Sequence, residues 1–210
     1  PPPPPPTITS ATYNVSTETL AVTGTGFTAT AGASNDVNVS KLTLTGEGGA
    51  TYTLTSSSVE IASATSFSVT LNATDKAAIN QIFNKNGTSS TGSTTYNLAG
   101  AAGFIANASA TADLTGNGIT VTNVAAPTIT SAAYNASTGV LAVTGTGLLK
   151  LTGATNDIVV TKLTLLGQGG TTYTLTSSSV EIINGTSFTV TLNTADKAAV
   201  NQLLNKNGAV

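Results

Sequence analysis

The acidic side chains are the residues in this sequence with the clearest capacity for chemistry. Three of them recur exactly 121 positions further on, in the pairs Asp36 and Asp157, Glu60 and Glu181, Asp75 and Asp196. Ca²⁺ prefers carboxylates beside backbone carbonyls, so the loops that hold Asp36 and Asp157 are candidate calcium sites. An Asn-Asp pair in a loop is also typical of an Asx turn, and no dense Asp-x-Asp-x-Asp run is present. Asp36 and Asp157 are therefore candidate Ca²⁺ ligands, with turn formation as the alternative.

The composition argues against catalysis. The chain has no Cys and no His, which removes the thiol nucleophile and the side chain that most often transfers protons near neutral pH. Glycoside hydrolysis needs two carboxylates at a controlled separation, and the spacing of the acidic residues shows no such pair. We expect no enzyme activity, no catalytic residues and no cofactor other than Ca²⁺.

Charge and hydropathy exclude two further classes of partner. The net charge is −2 and the sequence contains no Arg, so little in it would follow a phosphate backbone. No segment approaches the roughly 20 consecutive apolar residues that span a bilayer. The sequence predicts neither nucleic-acid binding nor membrane insertion.

The chain contains nearly the same domain twice. Residues 6–89 align with residues 127–210 without a gap, and 57 of the 84 pairs are identical. A period this long corresponds to a whole domain, so the sequence indicates tandem modules. We expect a polyproline linker at 1–6, a first repeat at 7–126 and a second at 127–210, which lacks the last ~40 residues of the pattern and suggests an excerpt of a longer chain.

Within each repeat the dominant period is two, which is typical of strands. The strands predicted in the first repeat, each with a counterpart in the second except the last two, are Thr7–Tyr13, Thr19–Thr25, Val37–Thr45, Thr51–Thr55, Val59–Ile61, Ser66–Leu71, the weak candidate Thr94–Leu98 and Ile119–Val124. A hairpin is expected around Gly46–Gly49, whose glycines tolerate positive φ. Helical spacing of apolar residues predicts a short helix over Asp75–Asn86, ending at Gly87.

The segment Thr88–Gly118 occurs once and is rich in Gly, Ala, Ser and Thr. About thirty mostly irregular residues are unusual inside a compact domain, so we expect a functional loop or a flexible excursion there. This segment is the first place to look for binding activity. The core is expected to form from Ile8, Leu20, Val22, Phe27, Leu42, Leu44, Tyr52, Leu54, Phe67, Val69, Leu71, Ile79, Phe83 and their partners 121 positions later.

The opening of each repeat resembles a known family. Pro6–Ser10 followed by Leu20–Phe27 is similar to the start of IPT/TIG-type immunoglobulin-like domains, where a Pro-x-Ile strand precedes an apolar strand ending in Gly-x-Gly-Phe. The second repeat matches with Pro127–Ser131 and Leu141–Gly147, but Leu148 replaces the aromatic residue. The resemblance implies a mostly β protein of two tandem immunoglobulin-like β-sandwich domains, each with one short helix.

The Thr-, Gly-, Asn- and Ala-rich repeats also look like the extender regions of large secreted bacterial adhesins. That resemblance implies an extracellular, cell-surface location and a non-enzymatic role as a stiff extender, with neighbouring repeats of the same protein as partners. The alternative is a self-assembling subunit of an extracellular filament, sheath or surface layer. A carbohydrate-binding module is disfavoured, because most of the five Tyr and five Phe fall at core-like positions.

A sharper hypothesis follows for the second repeat. The given sequence has no counterpart of Ile119–Val124 in this repeat, so its sheet has an unfilled edge unless the chain continues. Exposed sheet edges recruit strands. If the chain is one subunit of a filament, a neighbouring subunit would donate the missing strand.

Overall fold

The computed structural model describes residues 4–208, and the chain divides into two compact units, the first ending at Val124 and the second beginning at Ala125. The described residues are mostly β. Three prolines of the predicted linker, Pro1–Pro3, lie outside them, and Pro4–Pro6 lead into the first strand without helix or strand.

Unit 1 contains eight strands and one α-helix among its described residues. In chain order they are β1 (Thr7–Asn14), β2 (Thr19–Thr25), β3 (Leu42–Thr45), β4 (Thr51–Thr53), β5 (Ile61–Ser63), β6 (Ser66–Thr70), α1 (Ala73–Ile82), β7 (Asn97–Gly100) and β8 (Ile119–Thr122). One sheet has the order β5-β6-β2-β1-β8 and the other β4-β3-β7. A single hydrophobic core draws side chains from both sheets, which is consistent with a β-sandwich.

The first and last strands of unit 1 are neighbours. β1 pairs with β2 in antiparallel fashion, and its other edge pairs in parallel with β8, from Ala11 opposite Ile119 to Asn14 opposite Thr122. The N–H of Ala11 donates to the carbonyl of Gly118 at 3.0 Å, just before this ladder. The N–H of Val15 donates to the carbonyl of Thr122 at 3.0 Å, just after it.

Alternation predicts β1, β2 and β6 to within one residue at each end, because these strands bury one face and expose the other. The predicted hairpin is also confirmed: β3 pairs with β4, and Gly48 and Gly49 have positive φ. The first half of the predicted strand Val37–Thr45 is wrong. A 3-10 turn forms at Val39–Lys41. The buried residues Val39 and Leu42 are three positions apart, which fits one turn of 3-10 helix, whereas a strand would bury every second residue.

The helix starts and stops earlier than the sequence predicts. Asn72 caps it, and its side-chain oxygen accepts from the N–H of Asp75 at 2.8 Å, which places Asp75 in the first turn. The helix ends at Ile82, because Phe83 leaves helical geometry and is fully buried against the ring of Tyr96, 4.7 Å away between centroids. Gly87 therefore lies beyond the helix rather than at its end.

The segment Thr88–Gly118 is mostly irregular, as its composition predicts, but it packs into unit 1 instead of forming an excursion. The segment contributes β7, which pairs with β3, and it buries Tyr96, Leu98, Phe104 and Ile105 completely. Its carboxylate at Asp113 accepts from the N–H of Ile8 at 2.7 Å. We call residues 88–124, which include this stretch and β8, the completing segment, because they supply one strand to each sheet and part of the core.

Unit 2 repeats the first part of this plan. Its elements are β9 (Thr128–Asn135), β10 (Val140–Thr146), β11 (Thr164–Leu166), β12 (Thr172–Thr174), β13 (Ile182–Asn184), β14 (Ser187–Thr191) and α2 (Thr194–Leu203). One sheet has the order β13-β14-β10-β9 and the other is the pair β11-β12. Over residues 125–208, β9 and β11 each have one free edge where unit 1 has β8 and β7.

The core prediction holds for unit 1 but only in part for unit 2. In unit 1 all the predicted residues are buried except Tyr52, which is half-buried because its hydroxyl reaches Asp75 at the edge of the core. In unit 2 the predicted residues that are not buried are Ile129, Tyr173, Leu163, Leu165 and Leu204. Most of these positions contact or adjoin the completing segment in unit 1, and no such segment covers them within residues 125–208.

Candidate functional site

The two candidate calcium ligands sit in loops of the same design. One carboxylate oxygen of Asp36 accepts from the N–H of Thr30, and the other accepts from the N–H of Ile61 at 3.0 Å. Asp157 repeats this arrangement, with the N–H of Leu151 at 2.6 Å and that of Ile182 at 2.9 Å. Each carboxylate thus ties a long loop to the start of a strand, over 6 and 25 residues of chain, rather than forming the local Asx turn that was the alternative to calcium binding.

Hydrogen bonding lowers the pKa of two acids in these loops, Asp36 and Glu181. The N–H of Thr30 lowers the pKa of the Asp36 carboxyl against the effect of burial, and the N–H of Ile61 adds to it. The pKa of Glu181 is also lowered, first by the N–H of Asn156 and then, against some desolvation, by Lys150. The carboxylates of Asp36 and Glu181 are therefore ionised near neutral pH.

Glu60 and Glu181 support the same loops. Glu60 accepts from the N–H of Asn35 at 2.7 Å, and Glu181 accepts from the N–H of Asn156 at 2.8 Å. Over residues 4–208 no three His, Cys, Asp or Glu side chains gather into a group that could hold a metal ion. Calcium binding at Asp36 and Asp157 stays a prediction.

The third repeated carboxylate builds a buried cluster whose role the sequence did not reveal. Asp75 is fully buried in the first turn of α1 and faces the chain just after β4. It accepts from both the N–H and the hydroxyl of Thr55, at 2.9 and 2.6 Å, and from both the N–H and the hydroxyl of Ser56, at 2.8 and 2.6 Å. Asp75 thereby fastens the helix to the second sheet.

Asp196 forms the same cluster in unit 2 with Thr176, Ser177 and the hydroxyl of Tyr173. Burial raises the pKa of the Asp196 carboxyl, but the hydrogen bonds from Ser177 and Thr176 outweigh it and lower this pKa to about 2. The signal was present in the sequence, since the acid and its Thr-Ser partners are all retained at a spacing of 121. What sequence spacing could not show is that the two segments meet.

Glu47 is a further buried acid, and it is one that does not recur in the second repeat. One of its carboxylate oxygens accepts from the side-chain amide of Asn84 at 2.9 Å and from the N–H of Gly92 at 2.8 Å. It therefore joins the hairpin loop and the end of the helix to the completing segment. The second repeat has Gln168 at this position, where its side chain hydrogen-bonds that of Asn205.

The surface that differs most between the units is the one that the completing segment covers in unit 1. Ile8 is 4% exposed, whereas its counterpart Ile129 is 57% exposed. Leu166 and Val159 on the same side of unit 2 are 68% and 50% exposed. Within residues 125–208 these apolar side chains lie beside strand edges that have no partner strand in the same range.

No protein-family model, curated protein or solved structure matches the chain. Of the helices in residues 4–208, neither has the length and apolar character needed to cross a membrane.

Proposed function

We propose that this chain is a non-enzymatic structural repeat segment of a secreted bacterial cell-surface protein, in which tandem IPT/TIG-type immunoglobulin-like modules act as a stiff extender of an adhesin. The repetition of one module favours this class, because tandem copies set length. The repeated carboxylates at Asp36 and Asp75 support it as well. Both side chains accept hydrogen bonds from backbone N–H groups of their own module. The acidic residues that the two repeats share therefore hold the fold of each module together.

The parallel pairing of β1 with β8 is the observation that carries the proposal. In a tandem array, tension enters unit 1 before Thr7 and leaves it after Thr122. Because the two strands are parallel, these points lie at opposite ends of the strand pair. Pulling therefore loads the hydrogen bonds between β1 and β8 in shear, so that they must break together rather than one after another. A module closed in this way suits a load-bearing extender.

A matched pair of proline variants tests this role. Val15→Pro removes the N–H that donates to Thr122, at a turn position where proline is otherwise well accommodated. Losing one hydrogen bond, about 1 kcal/mol, should make unit 1 unfold about fivefold faster at a given force. The measurement is single-molecule force spectroscopy of the full chain.

Ala136→Pro is the control for the lost N–H, because it removes that group at the equivalent turn position of unit 2, and Val15→Ala controls for the packing of Val15 against the core. In unit 2 the corresponding edge of β9 has no partner strand in residues 125–208, so we expect no change in unfolding force. If Val15→Pro left the force of unit 1 unchanged, or if both variants weakened their units equally, the load-bearing role of the β1–β8 pair would be refuted.

A second candidate function is self-assembly as a subunit of an extracellular filament, sheath or surface layer. The exposure of Ile129, Val159 and Leu166 within residues 125–208 motivates it, because exposed apolar side chains often lie at protein contacts. Light scattering of the full chain across a concentration series separates the two candidates. A monomer at all concentrations favours the extender, and growth into ordered assemblies favours the subunit.

A further inference from the structure

The turn that joins β13 to β14 places an Asn-Gly pair among three hydrogen-bond donors. The side-chain oxygen of Asn184 accepts from the N–H of Thr186 at 2.9 Å, from the hydroxyl of Thr186 at 2.8 Å and from the hydroxyl of Ser187 at 3.0 Å. Because a backbone N–H only donates, the atom at this position is the amide oxygen and not the amide nitrogen. Three donors therefore polarise the side-chain carbonyl of Asn184.

Unit 1 arranges the same donors around a different side chain. There the hydroxyl oxygen of Ser63 accepts from the N–H of Thr65 at 3.2 Å, and it lies 3.1 Å from the hydroxyl of Thr65 and 2.8 Å from that of Ser66. The second repeat retains both donor residues but has Asn-Gly at 184–185 in place of Ser-Ala at 63–64. Two adjacent substitutions have thus brought an amide carbonyl carbon into a donor set that both modules possess.

The exposure of this turn is a property of the module itself. Asn184 and Thr186 are exposed in unit 2, and their counterparts Ser63 and Thr65 are equally exposed in unit 1, where residues 88–124 are present. The completing segment therefore does not cover this site, and solvent water reaches it in both units.

Gly185 supplies a nitrogen that can react with the polarised carbonyl. Its N–H donates to no acceptor within residues 4–208, and the side-chain nitrogen of Asn184 makes no hydrogen bond within the same residues. Glycine has no Cβ to shield its nitrogen. The turn itself does not require glycine, because Gly185 does not have positive φ and the first repeat has Ala64 there.

We propose that Asn184 and Gly185 form a self-modifying site, at which the nitrogen of Gly185 attacks the side-chain carbonyl carbon of Asn184. The Gly185 nitrogen gives its proton to hydroxide, the new C–N bond replaces the bond to the amide nitrogen, and that nitrogen takes a proton from water and leaves as ammonia. Negative charge collects on the oxygen that the three donors already surround, which lowers the barrier. Water then opens the cyclic succinimide at either carbonyl, leaving aspartate or isoaspartate at position 184.

Two other Asn-Gly pairs, at 86–87 and 117–118, lack the features that make this pair reactive. The N–H of Gly87 donates to the carbonyl of Val121 at 2.9 Å, so the attacking nitrogen of that pair is engaged. Asn117 is buried, and its side-chain nitrogen donates to two backbone carbonyls, so the leaving group of that pair is held. A further exposed pair, at 207–208, has no donor to its side-chain oxygen within residues 4–208.

The self-modifying site goes beyond the extender function and does not rest on it, because the turn lies outside the β1–β8 pair. Isoaspartate adds a carbon to the main chain, in a turn where only two residues separate Asn184 from its partner Ser187. The edge strand β13 would then lose its register with β14. Unit 2 would therefore change slowly and irreversibly, in a way that the first repeat cannot.

The test follows the folded full chain at neutral and mildly alkaline pH, with tryptic digestion in mild acid and mass spectrometry of the peptides. Peptide 163–197 contains Asn184, and peptide 86–150 contains the pairs at 86–87 and 117–118. Loss of ammonia reports the succinimide, and labelling by an isoaspartyl methyltransferase reports isoaspartate. We expect modification at Asn184 to be about tenfold faster than at the other three pairs, and to accelerate with pH because the Gly185 nitrogen must lose its proton.

Variants of the donor residue separate this mechanism from ordinary exposure. Thr186→Val removes the hydroxyl but keeps the N–H and the shape of the side chain, and it should slow the modification about tenfold. Thr186→Ser keeps the hydroxyl and should keep the rate. Thr191→Val, at an exposed threonine of β14 that does not contact Asn184, is the matched control and should also keep the rate. Asn184→Ser, the residue of the first repeat, should abolish the product.

Three results would overturn the proposal. The first is a peptide 163–197 that stays unmodified in the folded chain. The second is an unchanged rate for Thr186→Val while circular dichroism shows that the chain remains folded. The third is equally fast modification of Asn184 in urea-unfolded chain, because the donors that the fold assembles would then contribute nothing.

Discussion

Replacing Asp75 with alanine is expected to destabilise unit 1 by about 4 kcal/mol. The carboxylate is fully buried and accepts from the backbone N–H groups of Thr55 and Ser56. Without it the N–H and hydroxyl of Ser56 are buried and unpaired, at about 1–3 kcal/mol each, and the part-buried bonds from Thr55 are lost as well. The helix also loses its attachment to the second sheet. Urea unfolding of the full chain, followed by circular dichroism, measures the loss as an earlier transition of one unit.

The adjacent residue provides the control for Asp75. Lys76 pairs with Glu18 on the surface, where an exposed ion pair contributes about 0–1 kcal/mol. Lys76→Ala should therefore leave the transition nearly in place, and Asp196→Ala should lower the stability of unit 2 as Asp75→Ala lowers that of unit 1. Similar small losses for Asp75→Ala and Lys76→Ala would show that the buried cluster does not hold the helix.

Replacing Phe104 with alanine is the second change with a large expected effect. Its side chain is fully buried, stands edge-on to Phe27, and fills the space left by Gly100, where an added Cβ would lie 2.8 Å from the ring. Removing a buried phenylalanine side chain costs about 3–5 kcal/mol. We expect a loss of that size in the free energy of unfolding of unit 1, measured by the same urea titration.

Leu114 in the same segment is the matched control, because it is 55% exposed. Leu114→Ala should change the stability of unit 1 by no more than about 0.5 kcal/mol. If Phe104→Ala were as mild as Leu114→Ala, residues 88–118 would be a surface excursion, as their composition suggested, and the completing segment would have no part in the core.

Local pattern was enough to predict the strands that bury one face. In β2, alternation from Leu20 to Gly24 matches the buried and exposed positions of the strand, so its period is visible in sequence. The helix was also predictable as an element, since its apolar spacing is helical. The end of the helix was not predictable, because Phe83 leaves the helix to pack against Tyr96, which lies outside the helical pattern in the following segment.

The completing segment could not be predicted for the same physical reason. Its buried residues, such as Leu98, Phe104 and Ile105, are separated by Gly and Ala without a fixed period. Their positions are set by the pairing of β7 with β3 and of β8 with β1, and both β1 and β3 lie more than fifty residues earlier in the chain. The role of Asp75 was hidden likewise, because its partners Thr55 and Ser56 become neighbours only in the folded unit.

Comparison of the two units also explains where sequence identity misleads. Ile8 and Ile129 are the same residue at the same repeat position, yet one is buried and the other largely exposed. The difference lies in what covers them. A residue-by-residue transfer of the core from the first repeat to the second therefore fails wherever the completing segment makes the contact.

Amide hydrogen exchange tests most directly whether residues 88–124 close unit 1. The amides of Ala11 and Val15, which donate to Gly118 and Thr122, should be strongly protected. In a chain of these 210 residues, the amides of Ala132 in β9 and of Ala136 just after it have no such partner strand and should exchange orders of magnitude faster. Equal protection of the two sets, or rapid exchange at Ala11 and Val15, would contradict the claim that residues 88–124 close unit 1.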